Sequence, residues 1–345
     1  MRETPPKIIG APEVPGLIRA LPDYAIFGFQ GAVYYHGALY VSSNLGLLVV
    51  KDRRLTALYE WSRGDAVIEG PWLDRPGDAL WAQQARDGSL LRFDGVRWQR
   101  IQLPTPRAGY SRGDILNGFQ GISGSKSFWI LGGGLIWRAE KSGAEWIPEP
   151  RPAIPADSRV TAFFPLGDTL AMLVPDVYVA LRLRSRRERP ASVYVFEPSG
   201  WKKFATLDVD GRETLTVGQT GYLRTEEGVL YAVTADKMTR LETPAPCDAI
   251  AGTSAGALLA SFGRSGVFQR VADRWELRVE SPFPESEGPH RVHLAESAGE
   301  IALVTAPKAG LNVTSRELPP TVVRSGTAGI WISRGKKFEP VDFPR

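Results

Sequence analysis

The sequence contains a single cysteine, Cys247, which excludes an intramolecular disulfide. Its three histidines, His36, His290 and His293, leave few residues for imidazole catalysis or metal ligation. No run of about 18 apolar residues is present, so no membrane-spanning helix is predicted. The segment after Met1 lacks the apolar core of a secretory signal. We therefore expect a soluble, cytoplasmic, bacterial protein.

The charge balance is also weak, with 42 basic residues against 38 acidic residues and a formal net charge of +4. This balance argues against a protein that binds nucleic acid over its whole surface. Glycine (36 residues) and proline (27 residues) are plentiful, and both are spread along the chain. This distribution is typical of many short strands joined by turns.

A hydrophobic residue, usually aromatic, recurs at the same place in a repeated unit of roughly 40–50 residues, as expected for the blades of a β-propeller. We interpret this position as the residue that packs neighbouring blades together. Tryptophans outside this position are candidates for exposed contact residues. The recurring residues are Leu55, Trp98, Trp146, Trp201, Met238, Trp275 and Phe338. A second repeat, Gly-Phe-Gln-Gly, occurs at 28–31 and at 118–121.

The repeats predict an all-β fold, a β-propeller of seven four-stranded antiparallel blades. A stretch at 16–22 resembles another outer strand, which leaves six or eight blades as alternatives. It either closes the ring against the last blade or adds an outer strand. We assign residues 1–22 to an N-terminal strap or closing strand and residues 23–345 to a single propeller domain. The predicted blades are 23–61, 66–103, 113–149, 158–207, 212–244, 247–282 and 290–343.

One blade resembles a known family closely. Residues 78–103 contain Asp78-Ala-Leu-Trp81, then Asp87-Gly-Ser-Leu-Leu-Arg-Phe-Asp-Gly95, then Arg97-Trp98. This pattern is similar to the repeat of bacterial two-component-regulator propellers. The resemblance implies a seven-bladed propeller that senses a ligand or a protein.

Residues 252–256 match the G-x-S-x-G nucleophile motif, and their surroundings resemble the patatin-type lipase motif. That resemblance implies Ser254 as nucleophile and an aspartate in a later Asp-Gly pair. No Asp-Gly follows residue 256, and the segment aligns with the turns of other blades. We therefore interpret it as a turn.

His290 and His293 are three residues apart, a spacing that places two strand residues on opposite faces. They would share a metal only if a turn or bulge lay between them. We expect no cofactor and no metal site, and these two histidines are the only candidates for one.

Two stretches interrupt the repeat, at 175–190 and at 306–327, and both fall between the second and third strands of a blade. Long loops in a compact domain are usually functional or disordered. We predict a non-catalytic scaffold that binds a protein through the face bearing these loops, as a component of a bacterial multi-protein system. A small-ligand sensor, or a hydrolase or lyase at the central channel, is the alternative. Nucleic acid is a less favoured partner, and membrane binding is not expected. The candidate contact residues are Arg182, Arg184, Arg186, Arg187 and Arg189.

Overall fold

The computed structural model describes 29 strands, which form seven antiparallel sheets. The residues described are 7–10, 29, 31–43, 46–60, 68–84, 90–101, 120–124, 127–132, 135–140, 146–148, 162–166, 169–175, 191–197, 199–207, 211–283, 290–307 and 329–341.

The first three blades follow one another along the chain, and apart from the N-terminal strand of blade 1 each runs from an inner to an outer strand. Blade 1 contains β1 (Lys7–Gly10), β2 (Gly31–Tyr35), β3 (Ala38–Ser43), β4 (Gly46–Lys51) and β5 (Arg54–Glu60). Blade 2 contains β6 (Ile68–Asp74), β7 (Ala79–Gln84), β8 (Leu90–Phe93) and β9 (Trp98–Ile101). Blade 3 contains β10 (Gln120–Ser123), β11 (Ser127–Gly132), β12 (Leu135–Glu140) and β13 (Trp146–Pro148).

The other four blades repeat the same plan. Blade 4 contains β14 (Ala162–Leu166), β15 (Thr169–Pro175), β16 (Ala191–Glu197) and β17 (Gly200–Leu207). Blade 5 contains β18 (Gly211–Val217), β19 (Thr220–Thr225), β20 (Leu230–Val233) and β21 (Met238–Arg240). Blade 6 contains β22 (Ala249–Gly252), β23 (Leu258–Ser261), β24 (Val267–Val271) and β25 (Arg274–Val279), with a 3-10 turn at Gly263–Ser265. Blade 7 contains β26 (His290–Ser297), β27 (Glu300–Pro307), β28 (Gly329–Arg334) and β29 (Lys337–Pro340).

The innermost strands of the seven sheets contact one another in chain order, and β26 of blade 7 contacts β2 of blade 1. The ring is therefore closed around a central channel, which confirms the predicted all-β fold and its seven blades. Within the described part of the chain, no helix is long and apolar enough to cross a membrane.

The N-terminal strand β1 is an added outer strand, which pairs antiparallel with β5 of blade 1. Blade 7 forms its four-stranded sheet from its own segment, β26 to β29. The stretch 16–22, considered above as a closing strand, lies outside the described residues. The ring therefore closes by packing between complete sheets.

Strand order defines two faces of the ring. The turns from first to second strand and from third to fourth strand lie on one face, called here the a–b face. The turns from second to third strand, and the links between blades, lie on the opposite b–c face. These two faces carry the candidate sites.

In six of the seven outer strands the side chain of the recurring hydrophobic residue is described, and it packs towards the preceding blade, in agreement with the predicted packing between neighbouring blades. The Trp98 ring lies 5.5 Å from the Tyr59 ring of blade 1. Trp275 Nε1 donates a hydrogen bond of 2.8 Å to the Glu242 carbonyl, between blades 5 and 6. Leu55 lies in one apolar cluster with residues of blade 7, which completes the ring. Trp201, Met238 and Phe338 lie in clusters with residues of blades 3, 4 and 6, respectively.

Some of the other tryptophans were candidates for exposed contact residues, and those that the structure describes are buried or half-buried. Trp81 and Trp137 are fully buried, and Trp129 is buried. Trp72 and Trp331 are half-buried and belong to apolar clusters. The expectation was wrong for these five, because both faces of a blade pack against neighbouring blades. Trp61 and the side chain of Trp146 lie outside the described residues.

The Gly-Phe-Gln-Gly repeat reflects close packing around blade 2. A Cβ atom at Gly31 would overlap the carbonyl oxygen of Gly70. A Cβ atom at Gly121 would lie 2.6 Å from Cγ of Trp72. The last glycine of each copy therefore lets the innermost strands of blades 1 and 3 approach that of blade 2 from its two sides.

Polar side chains join blade 7 to blade 1 on the a–b face. The Tyr34 hydroxyl donates to Glu300 at 2.8 Å. Arg53 donates to Glu339 at 3.3 Å and to the Ser333 carbonyl at 3.1 Å, and its Nη2 lies 3.8 Å from Glu300. Burial, and then the hydrogen bond to Glu300, raises the pKa of Tyr34 well above its usual value. Tyr34 therefore stays a neutral donor at neutral pH, and its contribution to stability is lost only at strongly alkaline pH.

We expect Arg53→Ala to lower the free energy of unfolding by about 1–2 kcal/mol, because it removes hydrogen bonds from one guanidinium to two groups of blade 7. Guanidinium chloride unfolding would measure the loss. Its neighbour Arg54 is exposed, and its side chain makes no hydrogen bond or ion pair with other described residues, so Arg54→Ala is the matched control. Equal losses in the two variants would show that Arg53 does not stabilise this seam.

Candidate functional site

The two interruptions of the repeat leave the ring on the same face. The first lies between Pro175 of β15 and Ala191 of β16, which are paired with each other. The second lies between Pro307 of β27 and Gly329 of β28, where Gly329 pairs with Thr305. Both join the second strand of a blade to the third, and so both belong to the b–c face. Arg182, Arg184, Arg186, Arg187 and Arg189 lie within 176–190, outside the described residues.

The candidate metal ligands His290 and His293 both lie on β26. The pairing of β26 with β27 continues from His290 to Ser297 without a register shift. No bulge therefore brings the two positions to one face of the sheet. The condition for a shared metal site is not met by this strand. Within the described ranges, no group of three acidic, histidine or cysteine side chains could hold a metal ion.

The G-x-S-x-G segment is the a–b turn of blade 6. It connects β22 to β23, a strand-turn-strand setting that differs from the strand-turn-helix of a nucleophile elbow. Thr253 closes the turn through backbone and side-chain hydrogen bonds to Ala257. Exposed Ser254 donates its hydroxyl to Glu296 Oε1 at 3.2 Å, and its N–H to Glu296 Oε2. Among the described residues, the group that faces this hydroxyl is a carboxylate and not an imidazole. The arrangement therefore supports the interpretation of the segment as a turn and not as a nucleophile site.

The guanidinium of Arg75 reaches across the channel mouth on the a–b face. Arg75 belongs to the a–b turn of blade 2, and blade 2 lies opposite the junction of blades 5 and 6 in a ring of seven. A Cβ atom at Gly252 of blade 6 would lie 3.9 Å from Arg75 Nη2 and 3.3 Å from Val217 Cγ2 of blade 5. The Arg75 side chain therefore spans the mouth.

The turn that carries Arg75 is held from three blades. The Arg75 N–H donates to Ser123 Oγ of blade 3 at 2.9 Å. From blade 1, the Tyr35 hydroxyl donates to the Asp78 carbonyl at 2.9 Å, and His36 Nε2 lies 3.1 Å from both Asp78 carboxylate oxygens. Within blade 2, buried Asp74 accepts the Gly77 N–H at 2.8 Å.

The carboxylates near the mouth are already engaged by other donors. Asp74 also accepts the Trp81 indole N–H at 3.2 Å, and Asp78 faces His36. Glu296 accepts from the Ser254 hydroxyl and from the Gly299 N–H. Among the described residues, the Arg75 guanidinium makes no ion pair and no hydrogen bond. The mouth therefore presents an exposed positive charge on a fixed turn.

Sequence reasoning did not identify Arg75. The Asp74–Asp78 turn can be recognised between two strands, because Pro76 and Gly77 are turn residues. The approach of Arg75 to Gly252 depends on the closed ring and on the width of its channel. No local pattern encodes that distance.

The chain resembles solved structures at the level of its fold. No protein-family model matches the chain, and no curated protein matches its sequence. Virginiamycin B lyase from Staphylococcus aureus is similar with a TM-score of 0.54 and 13% identity, over 87% of this chain and 95% of the lyase chain. BBS1N, solved in complex with ARL6DN, is similar with a TM-score of 0.50 and 12% identity, over 82% of this chain and 91% of BBS1N.

A third similar structure is the extracellular domain of the putative hybrid two-component system BT4673 from B. thetaiotaomicron. Its TM-score is 0.51 and its identity 11%, over 81% of this chain and 37% of the BT4673 chain. At these identities the similarity shows the fold alone. The chain is thus a seven-bladed β-propeller whose structural neighbours include the extracellular domain of a putative two-component system, a lyase and a protein solved in complex with a partner.

Proposed function

We propose that this propeller is a protein-interaction scaffold, part of a bacterial multi-protein system, that binds an acidic partner through its b–c face. The supporting observation is the position of the two interruptions in the repeat. Both start and return on the b–c face, in blades 4 and 7, which lie on roughly opposite sides of the channel. A partner seated on this face would meet both segments.

In blades 5 and 6 the connection between the second and third strands is a short turn. In blade 5, the Gly228 N–H donates to the Thr225 carbonyl at 3.1 Å, and the Val229 N–H donates to Thr225 Oγ1 at 3.1 Å. In blade 6, the Phe262 N–H donates to the Gly266 carbonyl at 2.9 Å. Short turns therefore suffice to join the second and third strands. The longer connections of blades 4 and 7 are not required by the fold.

The charge of the first connection indicates the chemistry of the partner. Residues 182–190 contain five arginines and one glutamate. This excess of four positive charges equals the net charge of +4 of the whole chain, so the rest of the chain has equal numbers of basic and acidic residues. Guanidinium groups bind carboxylates through paired hydrogen bonds. An acidic protein surface fits this segment. The complex of BBS1N with ARL6DN shows a similar fold bound to a protein.

The test is a serine variant at Arg182, Arg184, Arg186, Arg187 and Arg189. The wild-type chain would be used to capture proteins from a lysate of the source cells, and the captured protein would then be purified. Biolayer interferometry would measure its affinity for each variant. We expect the serine variant to bind at least tenfold more weakly, because it loses the charged hydrogen-bond donors. Added salt should weaken wild-type binding.

The matched control removes five exposed basic side chains from the opposite face. These are Arg97, Lys237, Arg274, Lys336 and Lys337, all on the turns between third and fourth strands or next to them. The control should keep wild-type affinity. Unchanged affinity in the serine variant, and in a chain lacking both 176–190 and 308–328, would contradict the proposed function. So would failure of the wild-type chain to capture any protein.

A further inference from the structure

We infer that the channel mouth on the a–b face binds the oxyanion of a small ligand, a carboxylate or a phosphate, through Arg75. This site lies on the face opposite to the proposed protein-binding face, and it does not depend on that proposal. The inference rests on the reach of Arg75, on its anchored turn and on the occupied carboxylates around it.

The reach of Arg75 places its charge where a ligand entering the channel must pass. Its Nη2 approaches Gly252, on the opposite side of the ring from its own blade. The innermost strand of each blade pairs on one side only, so its other edge presents backbone N–H and C=O groups to the channel. The guanidinium fork and this polar edge together can position an oxyanion.

The anchored turn gives the site a fixed geometry. Tyr35 and His36 of blade 1, Ser123 of blade 3, and Trp81 of blade 2 all bond to the turn 74–78. Arg92 Nη2 also donates to the Gly77 carbonyl at 3.3 Å. A loop that becomes ordered only when its ligand binds loses conformational entropy on binding. Here the backbone that carries Arg75 is already ordered.

Gly252 leaves the space that the guanidinium and its ligand need. A side chain at this position would point towards Arg75 Nη2 and towards Val217. Asp74, Asp78 and Glu296 accept hydrogen bonds from other donors, and none of the three forms an ion pair with Arg75 in the described structure. An oxyanion at the mouth would supply the direct ion-pair partner that Arg75 lacks among the described residues.

The test uses inorganic phosphate and succinate as probes, with sodium chloride at equal ionic strength as the reference. The full chain would be labelled with ¹⁵N-arginine, and the Nε–H resonance of Arg75 would be assigned from its absence in Arg75→Gln. We expect a saturable shift of this resonance with at least one probe. Isothermal titration calorimetry should show affinity at least tenfold lower in Arg75→Gln.

Two further variants make the result specific. Arg274→Gln removes an exposed arginine from the rim of blade 6 and should bind like the wild type. Arg75→Lys distinguishes the ligand, because an ammonium retains phosphate binding as a point charge but loses the paired contact with a carboxylate. The inference is overturned if neither probe gives a saturable shift, or if Arg75→Gln binds as tightly as Arg274→Gln.

Discussion

Replacing Trp81 with alanine is expected to destabilise the propeller by about 3–5 kcal/mol, the range for truncation of a large buried aromatic side chain. Trp81 has no exposed surface, and its ring stacks at 5.4 Å on Phe128 of blade 3. Its indole N–H donates to Asp74, which is 3% exposed. The substitution therefore leaves a cavity between two blades and removes a donor from a buried carboxyl group.

The two contributions of Trp81 can be separated. Burial raises the pKa of Asp74, and the hydrogen bonds from Gly77 and Trp81 oppose that shift. Trp81→Phe keeps most of the ring but removes the N–H, so we expect a loss of about 1–3 kcal/mol. Guanidinium chloride unfolding would give both values. Trp98→Ala is the control, because Trp98 is only half-buried and should cost less. A larger loss for Trp98→Ala would contradict this interpretation of the core.

Replacing Gly31 with alanine is expected to cost about 1–3 kcal/mol or more, because the new methyl group would overlap backbone. The carbonyl oxygen of Gly70 occupies the place of the Cβ atom, and it is fixed there by a hydrogen bond of 2.6 Å from the Ser42 hydroxyl. Neither blade can relieve the overlap by rotating a side chain. The innermost strands of blades 1 and 2 would have to move apart.

The control for Gly31→Ala is Gly252→Ala, also on an innermost strand. There the nearest atom to a new Cβ would be Val217 Cγ2 at 3.3 Å, a side-chain atom that can shift slightly. We expect less than about 1 kcal/mol of change in this variant, since added packing and lower unfolded-state entropy offset the tight contact. Equal losses in both variants, measured by chemical unfolding, would show that the approach of blade 1 to blade 2 is not tight.

The sequence predicted those parts of the structure that each blade encodes by itself. Each outer strand has one solvated face, so the hydrophobic residue that packs inwards stands out at Trp98 and Trp275. The seven blades follow from counting this residue. The spacing of His290 and His293 likewise predicted alternate positions on a strand, and β26 has that regular pairing.

Relations between blades were harder to predict. The middle strands are buried on both faces, as in β3, where Ala38 to Ser43 are all buried. Such strands show no polar alternation, so the burial of Trp81 could not be read from its neighbours. Arg75 and Gly252 meet across the channel, and only the closed ring sets their distance. The arginines at 182–189 remain a prediction, because they lie outside the described residues.

The position of β1 has a consequence for truncation and tethering. In a propeller whose last blade is completed by an N-terminal strand, removal of that strand opens the ring. Here β1 lies outside β5, and blade 7 is complete without it. A pulling force applied to the N-terminus would therefore peel one outer strand from blade 1 and leave the contact between β26 and β2 intact. A truncation that removes β1 would likewise leave the ring closed by the contact between β26 and β2.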